Sequence, residues 1–486
     1  MVSSQNDASG KVVVDSIHGD IHLTRQELEV VDTASFQRLR HLKQLAMSQM
    51  AYPNATHTRF AHSIGVLAIM GRITKVAKES GHIKLSNEQE ENLRLAALLH
   101  DIGHYPYSHL MERIDNVKLT EEQLKGAEEV GKALDRSEIP YPEHDLVGTS
   151  IVTGQSDLVE ALGGKRRAKA VANLFGPKRP TGSIISLQLS MLVHSSLDMD
   201  RLDYLLRDSQ ATGVPYGQVD INYLLNNLQV SPSGMLGISD KAMPAAEQYL
   251  LARYFMHRTV YYHKTTFGLE EVCRQLLRRL RDQRDQGKYE IPKDGNKIRE
   301  LVTSEDLGTF TDAYVDRVIQ KAVNDNDQII RTLAKSIQKR RPPKLLAEVN
   351  VLVSSKERGN PHKGTIFILN CRHKLRHLAD DYNIPLEQFI LCQTPPLRLE
   401  KRGPWVPAAE AKETDWQEEE EEELVKVFVA GESEPKPLAD IPYSLVSKCA
   451  GLFFQSFRLY VVYEGANRKD VITKLRSKVR KWDKAE

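Results

Sequence analysis

One segment constrains the fold of this chain more than any other, because it places a dense polar cluster directly after an apolar helix. Residues 93–99 (LRLAALL) are apolar almost all round, and residues 100–109 (HDIGHYPYSH) contain three histidines. A helix that is apolar on every side lies at the centre of a core. Polar groups at the buried end of such a helix are costly unless they are hydrogen-bonded or bind a metal. The segment therefore predicts a core helix that ends at a polar or metal-binding site.

Two neighbouring residues of this segment, His100 and Asp101, have the chemistry of metal ligands. Neighbouring side chains point about 100° apart on a helix, so they converge on one ion most easily at a helix end. Gly103 and Pro106 supply that end. Because two ligands do not complete a metal site, the remaining ones are expected from distant helices.

The candidate partners are His62 and Asp200. His62 lies in a helix whose apolar residues recur at helical spacing. Asp200, Tyr204 and Asp208 follow each other at intervals of four and share one helix face. A solvent-facing stripe is the alternative, but the surrounding leucines favour a pocket wall. Two imidazoles and two carboxylates suit Fe, Mn, Zn or Mg, with a position open for water or phosphate.

Composition excludes several classes of protein. The 486 residues are 41% apolar and 27% charged, which is typical of a globular chain of two or three domains. Lysine and arginine number 67 against 65 acidic residues, and this balance argues against a nucleic-acid coat. No apolar run approaches the roughly 18 residues of a membrane span, and the polar start lacks a signal core. The four cysteines are too widely spaced for a disulfide framework. A cytoplasmic protein without membrane contact is expected.

Three parts are predicted along the chain: a disordered tail at 1–10, a helical domain at 11–289 that opens with a strand and turn, and an α+β region at 290–486. The fold class is therefore mainly α, with a helical-bundle core. The expected β-rich runs of the last part are 349–353 (VNVLV), 364–369 (GTIFIL), 425–430 (VKVFVA) and 457–464 (FRLYVVYE). A Glu run at 418–423 is expected on a solvated loop, and residues 473–484 are expected to form a basic helix.

The longer strings around these residues resemble the HD-domain metal-dependent phosphohydrolases, whose ligands follow the order H…HD…D. Here that order is His62, His100-Asp101 and Asp200. The strings are FQRLRHLKQL (36–45), HTRFAHSIGV (57–66), LLHDIGHYPYSH (98–109), Glu143-His144 and DMDRLDYLLRD (198–208). Together they are similar to the deoxynucleoside triphosphate triphosphohydrolase (dNTPase) branch. It includes animal enzymes that join a sterile-alpha-motif domain to an HD domain, and bacterial relatives. The similarity runs from Asp15 to Lys264, and no sterile-alpha-motif domain is expected before it.

The resemblance implies a helical HD-domain core that hydrolyses a dNTP to the deoxynucleoside and triphosphate, and thereby regulates dNTP pools. It assigns His109 as the acid on the leaving 5′-oxygen, Glu112 as the group that orients it, and His104 and His144 as pocket residues. The residues assigned to substrate are Gln44, Arg59, Arg201, Tyr204, Asp208, Arg253 and Tyr261. The arginines are expected to hold phosphates, Gln44 and Asp208 the 3′-hydroxyl, and Tyr261 the ribose. One tightly bound divalent metal is implied, with a second Mg²⁺ that arrives with substrate.

Relatives of this branch are oligomers with nucleotide sites between subunits. The resemblance therefore implies a homo-oligomer, expected to be a tetramer, that GTP or a dNTP activates. Asp32, Gln37 and Arg40 are assigned to the activator base, and Lys264 to its phosphates. A carboxylate accepts from guanine N1–H and N2–H, and arginine donates to O6. The alternative is that Asp32 caps a helix and Arg40 is a surface residue.

Two other functions stay open at this point. An HD-type phosphodiesterase or nucleotidase would use the same metal ligands on other nucleotides, although the set of arginines favours a triphosphate. A nucleic-acid-binding or scaffold protein on an inert HD fold is the second alternative. Its support is the basic C-terminal helix with Trp482, which predicts weak binding of single-stranded nucleic acid.

Overall fold

The structure of the protein is a computed structural model. It describes residues 10–114, 139–177, 199–282, 288–354, 362–399, 424–449 and 451–484. The expected tail before Gly10 and the expected loop at 418–423 lie outside these residues. In the described part helices predominate and the strands form small sheets. This confirms the prediction of a mainly helical chain with a smaller α+β C-terminal region.

The N-terminal half begins with a β-hairpin at residues 11–23, where the sequence predicts one strand and a turn. Its antiparallel strands are β1 (Lys11–Asp15) and β2 (Gly19–Leu23). The helices that follow are α1 (Arg25–Val31), α2 (Ala34–Gln37), α3 (Arg59–Ser80), α4 (Asn87–Leu99), α5 (His109–Glu112), α6 (His144–Gly154), α7 (Ser156–Ala161), α8 (Lys165–Phe175) and α9 (Met199–Thr212). Thr33 caps α2 by accepting from the amide of Phe36, whereas Asp32 ends α1.

The second half contains shorter helices and two further sheets. Its helices are α10 (Ile221–Asn226), α11 (Met243–Met256), α12 (Lys264–Asp282), α13 (Gly295–Val302), α14 (Asp312–Ala322), α15 (Gln328–Gln338), α16 (Lys363–Asp381), α17 (Leu445–Cys449) and α18 (Arg468–Val479). Its strands are β3 (Leu228–Val230), β4 (Leu236–Ser239), β5 (Lys344–Ser354), β6 (Phe389–Gln393), β7 (Leu397–Arg398), β8 (Lys426–Phe428), β9 (Lys436–Pro437) and β10 (Leu452–Val461). One sheet has the order β3-β4-β8-β9 and the other the order β5-β10-β6, with β7 also paired to β10.

Helices α3 and α4 pack against each other in the larger hydrophobic core. Ser86 precedes helix α4 as its N-cap, and its hydroxyl forms a capping box with Gln89. At the other end of the helix, Leu95–Leu99 are buried. Helix α3 ends at Gly81, whose φ of 72° suits glycine alone without strain. The apolar helix predicted before His100 is therefore present and lies inside the core.

Helix α3 is long and apolar enough to cross a membrane by length and composition alone, which the sequence analysis did not expect. In the fold, 67% of its apolar window is buried inside the protein, and the helix packs against α4 and α9. Its apolar character is accounted for by this position in the core.

The turn after α4 carries the polar cluster, and the buried Arg38 holds it in place. Its guanidinium donates to the carbonyl oxygens of Ile102 at 3.1 Å and His104 at 2.6 Å. A third bond, of 2.9 Å, goes to the carbonyl oxygen of Phe310. Burial lowers the pKa of Arg38 to about 10, so the group stays charged at neutral pH. One cation thus satisfies three buried carbonyl groups and ties the turn to the helices beyond residue 290.

The end of the same turn has an uncommon backbone. Tyr107 and Ser108 have φ angles of 55° and 58°, in the left-handed region that side chains other than glycine rarely occupy. The amide of Tyr107 donates to Asp312 at 2.9 Å, and its hydroxyl donates to Asp316 at 2.6 Å. Such angles persist where the surroundings over-determine them. Helix α14 therefore fixes the direction in which the chain enters α5.

Two glycines allow the close approaches that assemble the site. A Cβ at Gly103 would lie 2.0 Å from the carbonyl oxygen of His144 and 2.2 Å from the amide nitrogen of Gly148. A Cβ at Gly65 would lie 2.0 Å from Oδ1 of Asp203. Only hydrogen at these positions lets α6 and α9 reach the turn and α3.

The C-terminal sheet has a hydrophobic core of its own. Helices α16 and α18 pack against β5, and apolar side chains of the two layers, such as Val351 and Phe367, meet between them. Residues of α13, α14 and α15 belong instead to the larger core. The division at residue 289 stays a prediction.

The β-rich run predicted at 364–369 is wrong, because these residues lie in helix α16. His362 caps the helix by accepting from the amide of Thr365 at 3.3 Å. Phe367, Cys371 and Leu375 recur every four residues and are buried against the sheet. Six apolar and β-branched residues are too short a window to reveal that period. Of the other three runs, 349–353 lies within β5, 425–430 contains β8, and 457–464 overlaps the second half of β10.

Strand β10 joins the sheet to the helical part. Arg458 donates to the carbonyl oxygen of Tyr262 at 2.7 Å. The hydroxyl of Tyr460 donates to the carbonyl oxygen of Lys264 at 2.9 Å. The backbone between α11 and α12 is thereby held by the C-terminal region.

The Gly103→Ala substitution is expected to lower the free energy of unfolding by about 1–3 kcal/mol, the usual cost of overpacking. The added methyl group meets backbone, which cannot rotate away. Urea unfolding measures the change. Gly308→Ala is the matched control, since a Cβ there has nothing within 4 Å. Equal stability of the two variants would contradict the close approach of the turn to α6.

Candidate active site

Four side chains from α3, α9 and the end of α4 converge in the core. Nε2 of His62 lies 2.9 Å from Oδ1 of Asp200 and 3.6 Å from Oδ2 of Asp101. Nε2 of His100 lies 3.8 Å from the same oxygen of Asp200 and 3.4 Å from Oδ1 of Asp101. The structure thus brings together all four residues that were expected as metal ligands.

The donor atoms of this cluster fit a divalent cation. Nε2 of His62 and Nε2 of His100 are buried, and both face the carboxylate oxygens of Asp101 and Asp200. Nδ1 of His100 donates to the carbonyl oxygen of Ala97 at 2.8 Å, which leaves Nε2 as a lone-pair donor. Two buried nitrogen lone pairs that face two carboxylates form a ligand set for Zn, Fe or Mn.

The protonation of His62 shows how much negative charge surrounds it. Burial by itself lowers the pKa of this imidazole, but the carboxylates of Asp200, Asp203 and Asp101 outweigh burial and raise the pKa to about 10. A bound cation would take the place of that proton, so metal binding and proton release are coupled.

The residues that orient His62 were missed by the sequence analysis. Oδ2 of Asp203 lies 2.7 Å from Nδ1 of His62, and Oδ1 lies 2.7 Å from Nε2 of His18. Arg207 contacts both oxygens of Asp203 at 2.8 Å and donates to Asp15 at 2.9 Å. Such a carboxylate behind a metal-binding histidine fixes its tautomer and ring orientation. The available signal was the spacing of Asp203 and Arg207, four residues apart beside the predicted stripe.

Arg59 lies against the cluster and is itself almost fully buried. Its guanidinium donates to Oδ2 of Asp101 and to the hydroxyl of Ser108. Arg59 lines the cavity described below, so it lies at the boundary between the ligand cluster and that cavity.

A second group, of three imidazoles, lies beside the ligand cluster. The ring centroids of His104 and His144 are 4.0 Å apart, and that of His109 is 5.0 Å from His104. Glu112 contacts Nδ1 of His109 at 2.6 Å and Nδ1 of His144 at 2.9 Å. Burial by itself raises the pKa of Glu112, but these two imidazoles hold it well below its usual range. One ionised carboxylate therefore orients two rings.

Both groups open into one cavity of about 610 Å³. The residues expected at the site that line it are Gln44, Arg59, His100, Asp101, His104, His109, His144, Asp200, Tyr204, Asp208 and Tyr261. Arg113, His257, Tyr262 and Pro395 line it as well and were not assigned. Pro395 follows β6, so the C-terminal region contributes to the wall.

The far wall of the cavity carries a hydrogen-bonded group around Asp208. Its Oδ1 lies 2.7 Å from Nε2 of His57, and its Oδ2 accepts from the hydroxyl of Tyr261 at 2.7 Å. Gln44 lies nearby, and within the described residues its Oε1 is buried without a hydrogen-bond partner. This wall therefore presents one unused acceptor and an aromatic ring. His57 therefore positions the carboxylate of Asp208, a role that the sequence analysis did not assign to it.

Arg253, His257 and Tyr261 follow each other at intervals of four, which predicts a shared face on a regular α-helix, but residues His257–Tyr261 form a π-helical turn. Arg253 donates to the carbonyl oxygens of Arg398 at 3.3 Å and Leu399 at 2.9 Å. Neither it nor Arg201 is among the residues that line the cavity. Their assignment to phosphate stays a prediction.

The residues assigned to an activator lie away from this cavity. Arg40 donates to Oε1 of Gln37 at 2.7 Å and stacks over the ring of Phe60 at 3.5 Å. Asp32 is exposed. Lys264 lines a separate cavity of about 400 Å³.

The Asp200→Asn substitution is expected to remove the tightly bound metal, because it deletes a charged ligand of the convergent set. Metal content of the purified variant, measured by plasma mass spectrometry, tests this. Asp20→Asn changes an exposed carboxylate on β2 and is expected to retain wild-type metal content. Full metal occupancy in Asp200→Asn would remove that residue from the site.

A pH dependence of stability follows from His257. Burial, together with the charges of Arg253 and Arg201, lowers the pKa of His257 to about 3. The unfolded chain therefore binds more protons between pH 6.5 and 3, and stability falls as the pH falls through this window, by up to about 1.4 kcal/mol per pH unit. His257→Gln is expected to reduce that slope in urea unfolding, and the exposed His82→Gln is not. An unchanged slope in His257→Gln would contradict a neutral His257.

Comparison with known proteins agrees with this geometry. The family model of the HD domain matches residues 59–208, and the family model of the HD associated region matches residues 219–340. An uncharacterized protein of Methanocaldococcus jannaschii is 35% identical over 258 residues, which is 52% of this chain and 46% of that protein. The deoxynucleoside triphosphate triphosphohydrolase SAMHD1 of Bos taurus is 23% identical over 366 residues, which is 72% of this chain and 61% of that protein.

A solved structure of a hypothetical protein from Aquifex aeolicus shares the fold, with a TM-score of 0.67 and 21% identity. It covers 97% of this chain, and this chain covers all of it. The matched segment covers less than two thirds of either sequence relative. The ligand cluster, from His62 to Asp200, lies entirely within the matched HD domain. The chain therefore belongs to the HD-domain proteins, with an HD domain at residues 59–208 and an HD associated region at residues 219–340.

Proposed function

We propose that the protein is a metal-dependent phosphohydrolase that cleaves a dNTP to the deoxynucleoside and triphosphate. One observation carries the proposal: a single cavity joins the two-histidine, two-carboxylate cluster to a carboxylate-oriented pair of imidazoles. HD domains bind divalent metals, which agrees with the donor set. The similarity to the bovine dNTPase supports the choice of substrate.

The phosphate end of the substrate is assigned to the ligand cluster. A divalent ion held by His62, His100, Asp101 and Asp200 would shield phosphate charge and lower the pKa of a bound water. Arg59 is buried beside Asp101 and offers a planar fork to a phosphate oxygen. Arg113, at the exposed edge of the cavity, is the nearest described candidate for the distal phosphates.

The leaving 5′-oxygen needs a proton, and His109 is assigned to donate it. Its Nδ1 is held by Glu112, so Nε2 is left for the substrate. Burial lowers the pKa of His109 despite Glu112, and the ring is therefore mostly neutral in the empty site. A polyanionic substrate favours the charged imidazolium, so substrate binding itself supplies the proton donor.

The sugar is assigned to the wall of Gln44, Asp208 and Tyr261. The unpartnered Oε1 of Gln44 is an acceptor for a 3′-hydroxyl. The Tyr261 ring is held in place by Asp208 and would collide with a 2′-hydroxyl, which favours deoxyribose. His57 and Tyr261 each contact one oxygen of Asp208, and each oxygen can accept a second hydrogen bond. Asp208 is therefore assigned both to position Tyr261 and to accept from the 3′-hydroxyl.

The same proposal includes activation by GTP or a dNTP in a cytoplasmic homo-oligomer. Asp32 is exposed, and Gln37 and Arg40 are already paired. Arg40 stacks on Phe60, which lies between Arg59 and His62 on α3. A base bound at this point would therefore contact the helix that carries a metal ligand.

A nucleotidase or phosphodiesterase is the second candidate function. The observation that favours it is the position of Arg201 and Arg253 outside the cavity lining. With Arg59 partly engaged by Asp101, fewer cations face a triphosphate than the sequence predicted.

Product analysis tests the proposal. The protein is incubated with mixed dNTPs in Mn²⁺ or Mg²⁺, with and without GTP, and the products are separated by ion-exchange chromatography. Deoxynucleoside with intact tripolyphosphate is expected. Orthophosphate or pyrophosphate alone would indicate the second candidate, and no hydrolysis of any dNTP by a metal-loaded protein would contradict the proposed function.

The His109→Gln variant is expected to lower kcat by about 10²–10⁴-fold, the usual contribution of a general acid, while the four-ligand cluster keeps its metal. Loss of the metal from that cluster would show that the role of His109 was assigned wrongly. His82→Gln serves as the control for loss of an imidazole. Asp32→Ala is expected to lose the response to GTP and keep basal turnover.

A further inference from the structure

We propose that His104, His109 and His144 form a second metal site, which binds Zn²⁺ or a similar transition metal and inhibits the enzyme when occupied. The site is separate from the four-ligand cluster of His62, Asp101 and their partners. Its existence does not depend on the proposed function, whereas the inhibition rests on the role proposed for His109.

The geometry is that of a three-nitrogen site. One ring nitrogen from each of the three histidines lies within 4.8 Å of the other two. The centroid of His109 is 5.2 Å from that of His144, and both rings face His104. The rings of His104 and His144 are stacked, with 23° between their planes, and imidazole binds a metal in the plane of its ring. One of these two rings must therefore turn for all three nitrogens to reach the usual Zn–N distance of about 2.0–2.1 Å.

Glu112 supplies the arrangement found behind metal-binding histidines. Its Oε2 lies 2.6 Å from Nδ1 of His109, and its Oε1 lies 2.9 Å from Nδ1 of His144. Because Nδ1 is occupied in both rings, Nε2 is the nitrogen left to bind a metal. The carboxylate is only 8% exposed and also accepts from the amide of His144 at 2.9 Å, so its position is fixed. A carboxylate in this place sets the tautomer and raises ligand basicity.

The donor chemistry selects against the hard cations that phosphate chemistry often uses. Imidazole nitrogen suits Zn, Cu, Fe and Ni, whereas Mg²⁺ prefers oxygen ligands. Asp145 offers an oxygen 3.3 Å from Nε2 of His144 as a fourth ligand. Three histidines with one further position form a tetrahedral zinc set.

Occupation of this site removes the proton donor. The same Nε2 of His109 that would protonate the leaving oxygen would bind the metal, and the two uses exclude each other. His104 also lies 3.1 Å from Oδ1 of Asp101, so the second ion would sit next to the first. Free zinc would therefore act as an inhibitor without removing the ion held by the four-ligand cluster.

The binding stoichiometry of the full chain tests the site. Metal-free protein is titrated with Zn²⁺ against a chromophoric chelator, and two equivalents per chain are expected. His109→Gln and Asp200→Asn, each of which damages one site, are expected to bind one equivalent. The exposed His82→Gln is the control and is expected to bind two.

A third variant keeps all three imidazoles. Glu112→Gln is expected to weaken the second equivalent by about 10–100-fold, the usual effect of losing such a partner. Co²⁺ provides a readout independent of activity, since a tetrahedral nitrogen site absorbs strongly in the visible range. Its absorption is expected in Asp200→Asn and absent in His109→Gln.

One equivalent in the wild type, or two in His109→Gln, would overturn the site. Turnover that is unaffected when the second equivalent binds would overturn the inhibition alone. Failure to hydrolyse any dNTP would contradict the proposed function, and the zinc count would still decide the site.

Discussion

The buried carboxylate of Asp203 is the interaction on which the site depends. It receives His62 and His18 on separate oxygens and is paired with Arg207, so a charge far from water is fully compensated. Burying such a charge without these partners would cost several kcal/mol. Gly65 makes the approach possible, because any side chain there would occupy the position of the carboxylate. Through this one group, the N-terminal hairpin, α3 and α9 are joined beside the ligand cluster.

The ligand set was the part of the site most accessible from sequence. His100 and Asp101 follow an apolar helix, and polar residues there need a partner whatever the fold. Asp200, Tyr204 and Asp208 share a helix face by spacing alone. Both of these predictions require only local geometry. The roles of Asp203, His18 and Arg38 were not accessible in this way. Each acts on a residue far away along the chain, and only tertiary packing shows which partner a buried charge receives.

Prediction from the local residue pattern also failed where a short segment fits both the period of a strand and that of a helix. Residues 364–369 read as a strand because they are apolar and β-branched, yet the cap at His362 and the spacing of later apolar residues make them a helix. The four-residue spacing of Arg253, His257 and Tyr261 misleads for a related reason, because residues His257–Tyr261 form a π-helical turn. A regular period assumes uninterrupted α-helix, and insertion of one residue into the turn changes the face of everything beyond it.

The hydrogen bonds between β10 and the backbone of Tyr262 and Lys264 affect how much of the chain is needed to form the complete cavity. Every metal ligand lies before residue 201, so a fragment cut after the helical part would retain the whole ligand set. It would nevertheless lack Pro395 and the strand that braces the loop beside Tyr261. Such a fragment would keep the capacity to hold an ion while losing the shape that selects a substrate, and the two properties are therefore encoded by different lengths of the chain.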